Sequence, residues 1–198
     1  MRLLLTSLLL LVSVQVNATV IHNVDSNGIL TGAQNVDVLG TLYDVSFVDG
    51  TCADLFDGCD EITDFDFSDI STASAAAHAL LDQVLIDSVA GLFDTHPEST
   101  KGCTFIEECM TFIPYLLSTS PFIIGEGVFN NAIEGHDRTF TLAGRSSSDD
   151  TIPLTHNNYI RFSVSPLPNP IPEPSTMLLF GSGLAGLGLW RYRKGVKS

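Results

Sequence analysis

Both ends of this 198-residue chain are apolar runs unsuited to a water-facing surface, and they confine the folding problem to the stretch between them. At the start, Met1 and Arg2 precede an apolar run over residues 3–16, broken only by Thr6, Ser7, Ser13 and Gln15. Val16-Asn17-Ala18 follows as a small-residue box. One positive charge, a short apolar stretch and such a box are the pattern of a secretory signal peptide. Residues 1–18 are therefore read as that peptide, with Thr19 as the mature N-terminus. At the other end, residues 175–190 read STMLLFGSGLAGLGLW and carry no charge. As a helix this run measures roughly 24 Å against a hydrocarbon core of ~30 Å. It spans if Trp190 and Tyr192 sit at the interface while Arg191, Arg193, Lys194 and Lys197 stay in the cytoplasm. The expectation is a transmembrane helix over 175–190 and a basic cytoplasmic tail over 191–198.

Charge divides the chain in the same way. The whole sequence carries 23 Asp and Glu against 9 Lys and Arg, a net −14. Residues 19–170 hold 22 acidic and 4 basic side chains, a net −18, the four cations being Lys101, Arg138, Arg145 and Arg161. A nucleic-acid binder needs a basic surface to neutralise phosphates, so that class is excluded. The hydrophobic share of 44% with 16% charged residues also excludes a wholly disordered acidic chain.

Five of the nine prolines fall within SPLPNPIPEP, residues 165–174. Proline at alternate positions favours an extended, polyproline-like spacer. Then come the apolar run and Arg191-Tyr192-Arg193-Lys194. Pro172-Glu173-Pro174, a Gly-rich apolar segment and a basic end resemble the PEP-CTERM sorting signal. The resemblance implies handling by an exosortase, a membrane cysteine protease or transpeptidase of Gram-negative bacteria that make extracellular polysaccharide. It implies removal of the tail near Pro172–Pro174 and delivery to the cell surface or matrix. Residues 42–52 and 55–60 are similar to an N-terminal stretch of other small PEP-CTERM proteins, and no chemistry comes with that likeness. Gly181-Ser182-Gly183-Leu184-Ala185-Gly186 fits G-x-G-x-x-G by letter, but no βαβ unit surrounds it and the acidic residue needed about 20 positions later has no room. Those glycines instead allow close approach of another membrane helix.

The exported part, residues 19–164, is long enough for one compact core. Near-alternation over residues 42–48 within 29–48 predicts strands, and Asp49-Gly50 predicts a turn. Over residues 69–92, Ala73, Ala76, Ala77, Leu80, Leu81, Val84, Leu85, Val89 and Leu92 recur at three and four, predicting an amphipathic helix with Asp69 as its N-cap. Strand character returns over 105–117, 122–133, 138–143 and 159–164. The fold class expected is α+β, an antiparallel sheet with one prominent helix packed on it.

Four cysteines occur as Cys52 and Cys59, then Cys103 and Cys109. An even count in an exported chain favours disulfides over a reduced metal site. Three pairings exist and sequence does not choose among them; the two local pairs are preferred because each staples a loop beside an acidic turn. Closing such short loops contributes on the order of 2–3 kcal/mol. A zinc site is disfavoured by the spacing.

Asp54, Asp57, Asp60, Glu61, Asp64, Asp66 and Asp69 form the densest acidic run. Clustered carboxylates are ligands for hard cations, so Asp57, Asp60, Asp64 and Asp66 are candidates for Ca²⁺, and no other cofactor is expected. An EF-hand register starting at Asp64 meets Asp69 where glycine is required and Ala75 where glutamate is required. The competing reading is a solvated acidic loop. The five histidines lie far apart, without HExxH. His136-Asp137 could supply a base and its orienter, but neighbours in a turn point apart. No G-x-S-x-G elbow lies in the exported part.

These residues predict a surface or matrix protein without enzymatic activity. Sec export, exosortase and the membrane are its expected partners, and matrix polysaccharide a further one. The alternative is a secreted hydrolase acting on matrix polysaccharide or protein. A third course, in which the tail persists, would leave a permanently anchored protein.

Overall fold

The computed structural model describes residues 19–118, 121–133 and 135–166. Residues 1–18, expected to be a signal peptide, and the tail beyond residue 166 lie outside them. In chain order the elements are β1 (Ile21–Val24), β2 (Leu30–Val38), β3 (Thr41–Val48), α1 (Cys52–Leu55), α2 (Ile70–Gln83), β4 (Asp87–Ser88) and β5 (Gly91–Leu92). They continue with β6 (Glu108–Leu117), β7 (Phe122–Asn131), β8 (Arg138–Ser146) and β9 (Asn157–Val164). Short 3-10 turns cover Ile62–Asp64 and Pro97–Ser99.

Seven strands form one sheet in the order β1-β2-β3-β9-β6-β7-β8, and β4 pairs with β5 apart from it. Two antiparallel meanders, β1 to β3 and β6 to β8, thus flank the last strand in sequence. β9 runs antiparallel to β3, matching Tyr43 with Val164 through Val48 with Tyr159. It runs parallel to β6 over the pairs Met110–Asn157, Thr111–Asn158 and Phe112–Tyr159. Strands with both faces covered read as near-continuous burial, and Asn157, Asn158, Tyr159 and Ile160 are all buried.

The α+β expectation is corrected here. Among the described residues the protein is mostly β, with 46% strand and 17% helix, one helix of seven or more residues, and a mixed rather than antiparallel sheet. The helix expected over 69–92 stops at Gln83. Its start is as read: the Asp69 carboxylate accepts the Thr72 amide at 2.9 Å. Its end is decided by a distant clasp. Asp87 accepts the amides of Asp94 and Thr95 and the Thr95 hydroxyl, at 3.0, 3.1 and 2.8 Å, which folds 87–92 into the β4–β5 hairpin. β-Branched Val84, Ile86 and Val89 offer little helical preference to oppose it. Val84 and Leu85 stay buried beyond the helix, whereas Val89 and Leu92 are exposed. The three-and-four spacing over the last nine positions, 84–92, therefore records no helix.

Side chains alternate across the sheet and build two cores. On one face Leu30, Val45, Phe47, Ile113, Val128 and Ile160 pack against Ala73, Ala76, Ala77 and Leu80 of α2. Alanine at those positions lets the helix lie close to the sheet. On the other face Phe112, Ile123 and Tyr159 meet Phe56, Phe65 and the Cys52 and Cys59 pair. Ring centroids there stand 5.7 Å (Phe112–Tyr159), 5.9 Å (Phe56–Tyr159) and 6.3 Å (Phe56–Phe65) apart, all edge-on. Gly125 of β7 makes room for this layer, since a Cβ there would lie 2.5 Å from both the Ile113 carbonyl oxygen and the Phe112 ring.

Candidate functional site

The chemistry-bearing feature of the described domain is made by a bulge in β8. Its pairing with β7 runs regularly from Phe129–Arg138 to Ile124–Ala143, then shifts so that Ile123 faces Arg145. Gly144 is the extra residue, at φ +87°, a conformation open to glycine at little cost. One inserted residue reverses the alternation of side chains. Leu142 and Arg145, three apart, consequently share the face of the aromatic core. Leu142 packs on that core. The Arg145 guanidinium lies 5.1 Å from the Tyr159 ring centre and 5.4 Å from that of Phe112.

Beside it the loop after β8 is tied down from below. Ala53 donates its amide to the Ser147 carbonyl and Thr151 donates to that of Gly50. The Thr151 hydroxyl donates to the Asp49 carboxylate at 3.1 Å and accepts the Gly50 amide at 3.1 Å. Within this loop Asp149 accepts the Ser146 amide at 3.0 Å and Asp150 accepts the Ile152 amide at 2.9 Å, which fixes both carboxylates at the surface. The result is an open groove of about 430 Å³ whose lining includes Leu142, Arg145, Asp149, Asp150, Leu154 and Asn157. That volume falls within the range of small-molecule sites, roughly 300–1,000 Å³.

Its electrostatics are unusual for so acidic a domain. Arg145 is only 9% exposed. The ion pairs among the described residues are His96 with Glu98 and Arg161 with Asp66, and Arg145 belongs to neither. Its charge is held by two aromatic faces rather than by a carboxylate, an arrangement worth most where water is excluded. The Asn157 Oδ1 is buried and has no hydrogen-bond partner among the described residues, and the buried Tyr159 hydroxyl lies against Arg145. Burial pushes the Tyr159 phenol above its ordinary range; Arg145 pulls the other way, while Asp149 and Asp150 add to the rise. Asp49, under the loop, is also pushed up, by burial first, against the Thr151 hydrogen bond and the charge of Lys101.

The acidic run proposed from sequence is not gathered into a site. Asp66 is turned inward, taking Arg161 Nη2 at 3.0 Å, Arg161 Nε at 3.1 Å and the Phe162 amide at 2.7 Å. Asp64 accepts the amides of Asp60 and Glu61, both at 3.0 Å. Asp57 lies in the Cys52–Cys59 loop at φ +52°. Among the described residues no three His, Cys, Asp or Glu side chains converge on a metal position. Nor does Asp137 orient His136; it accepts the Asn131 amide at 2.7 Å.

Cys52 is bonded to Cys59 and Cys103 to Cys109, with Cα separations of 5.8 and 5.7 Å. The first disulfide is part of the aromatic core under Arg145. Pro172, Glu173, Pro174, Trp190, Arg191, Arg193 and Lys194 lie outside the described residues. No helix among the described residues is long and apolar enough to cross a membrane.

Sequence reasoning did not single out Arg145. The available signal was faint: a cation directly after a glycine, in a strand of a domain with four cations. No curated protein matches the chain, and no solved structure does. Residues 170–194, however, match the PEP-CTERM protein-sorting motif, so this chain carries that signal on the residues that suggested it.

Proposed function

We propose that this protein acts at the cell surface or in the extracellular matrix, as a binding or structural component rather than an enzyme. The observation that carries the reading is the PEP-CTERM motif at 170–194, which implies export, membrane-linked sorting and exosortase processing. The route runs through Sec export on residues 1–18, a transient hold by residues 175–190, and removal of the tail near Pro172–Pro174. Two features of the domain support such a destination. Disulfides persist in oxidising compartments, and this domain has two. Its net −18 favours a dispersed, soluble body outside the membrane.

The test is the intact mass of the mature protein from its native host. The expected mass lacks residues 1–18 and everything beyond the Pro172–Pro174 region, less four hydrogens for the two disulfides. A mass that retains Trp190 and the basic end would make the protein a permanently anchored one and overturn the sorting reading.

A further inference from the structure

We propose that the Arg145 groove binds a neutral saccharide through its hydroxyl groups. The proposal deepens the matrix-binding reading above, on which it rests for its setting, by naming a site and a ligand class.

Three observations lead there. First, the groove is built rather than incidental. A bulge at Gly144 aims Arg145 at this face. The facing loop is anchored through Ser147 and Thr151 to the segment that carries the Cys52–Cys59 disulfide. Bulges recur beside functional sites because they redirect one side chain without dissolving the strand.

Second, the polar groups in it are incomplete. A guanidinium offers five N–H donors and accepts nothing, and none of Arg145's meets a carboxylate within ion-pair distance among the described residues. Asn157, in the lining, keeps a buried Oδ1 with no hydrogen-bond partner among the described residues. Buried polar groups in this state cost stability unless something completes them.

Third, the mixture of groups selects the ligand. Asp149 and Asp150 only accept, and Arg145 only donates. An anion cannot donate, so it would meet two carboxylates within the groove and a domain of net −18 around it. An ammonium cannot accept, and it would face Arg145. A hydroxyl does both, and adjacent hydroxyls on one ring can accept from Arg145 while donating to Asp149 or Asp150. Leu142 and Leu154 supply apolar surface for the C–H face of the same ring.

Saturation-transfer NMR tests this on the full chain, solubilised in a detergent without a sugar headgroup. The probes are neutral oligosaccharides of glucose, mannose and galactose, with galacturonate and inorganic sulfate as anions. The expected result is saturation transfer to a neutral probe at millimolar concentration. Arg145→Met should weaken that binding roughly tenfold to a hundredfold, the change expected when a hydrogen bond to a charged group is lost. Leu154→Trp, at the half-buried rim, should block the groove without touching Arg145, and it decides the matter if Arg145→Met does not fold. Response to the anions alone, response to none of the probes, or binding unchanged by Leu154→Trp would overturn the proposal. The mass of the mature protein is indifferent to all these outcomes, so a failed groove and a failed sorting route are told apart.

Discussion

The two faces of the sheet are held by different means. On the α2 face twenty buried hydrophobic residues, mostly Leu, Val, Ile, Ala and Phe with Tyr115, form one cluster. On the opposite face only seven buried residues are gathered, two of them joined as cystine and four of them aromatic. The first nevertheless buries polar side chains as well: Thr111, Glu126 and Asn130 share the strand faces of Ile113 and Val128. The second is much smaller, and a covalent loop and edge-on rings help hold it together. What sets this thinner side apart is the buried Arg145 guanidinium over its rings. The larger apolar cluster thus lies on one face and the Arg145 groove on the other.

The largest predicted effect tests the first half of that contrast. Phe47 is wholly buried in β3. Phe47→Ala should cost about 3–5 kcal/mol, transfer and cavity contributions together, read from the urea midpoint of unfolding. A loss below about 1 kcal/mol would mean that this face does not carry the stability assigned to it. The next effect concerns the thin face. Replacing Cys52 and Cys59 together by Ala should cost about 2–3 kcal/mol. Amide exchange should quicken most in α1 and in the loop holding Asp149 and Asp150, and least in α2. Equal quickening on both faces would break the division, because the disulfide would then be stabilising the sheet as a whole.

The same contrast explains what could be read in advance. Strands over 29–48 and 122–133 were legible because alternation is local, and the Asp69 cap was legible because it acts within one turn. The end of α2 was not, since it depends on Asp87 reaching Asp94 and Thr95 across a hairpin. Nor was the mixed sheet. Residues 159–164 read as a strand, but nothing in Tyr159-Ile160-Arg161-Phe162 says that it inserts between β3 and β6. The PEP-CTERM signal is a linear motif and survives without a fold. Arg145 is the reverse case: its chemistry depends on which face it occupies, and one residue of bulge at Gly144 decides that.

The smallest predicted effect is the most discriminating, because acid should act on the two faces with opposite sign. Beside α2, Asp69 is held below the ordinary aspartate value of 3.8 by the Thr72 amide and hydroxyl. Asp87 is lowered too: burial pushes it up, and the hydrogen bonds from Thr95 and Asp94 together outweigh that. For both, the unfolded chain binds its proton first as pH falls, so their stabilisation is present above 3.8 and lost below it. Under the groove Asp49 is raised, chiefly by burial. There the folded state holds the proton longer, and stability declines as pH rises from 3.8 through the raised value. Urea midpoints followed across this range should show a shallow maximum near the ordinary aspartate value. Asp87→Asn should flatten its acid side and Asp49→Asn its alkaline side, each by less than about 1 kcal/mol because both carboxylates remain partly in water. If Asp49→Asn instead steepens the alkaline decline, the charged form of Asp49 is the one the fold prefers. The loop beneath Arg145 would then be held by a charged anchor, and the difference between the faces would lie in packing alone.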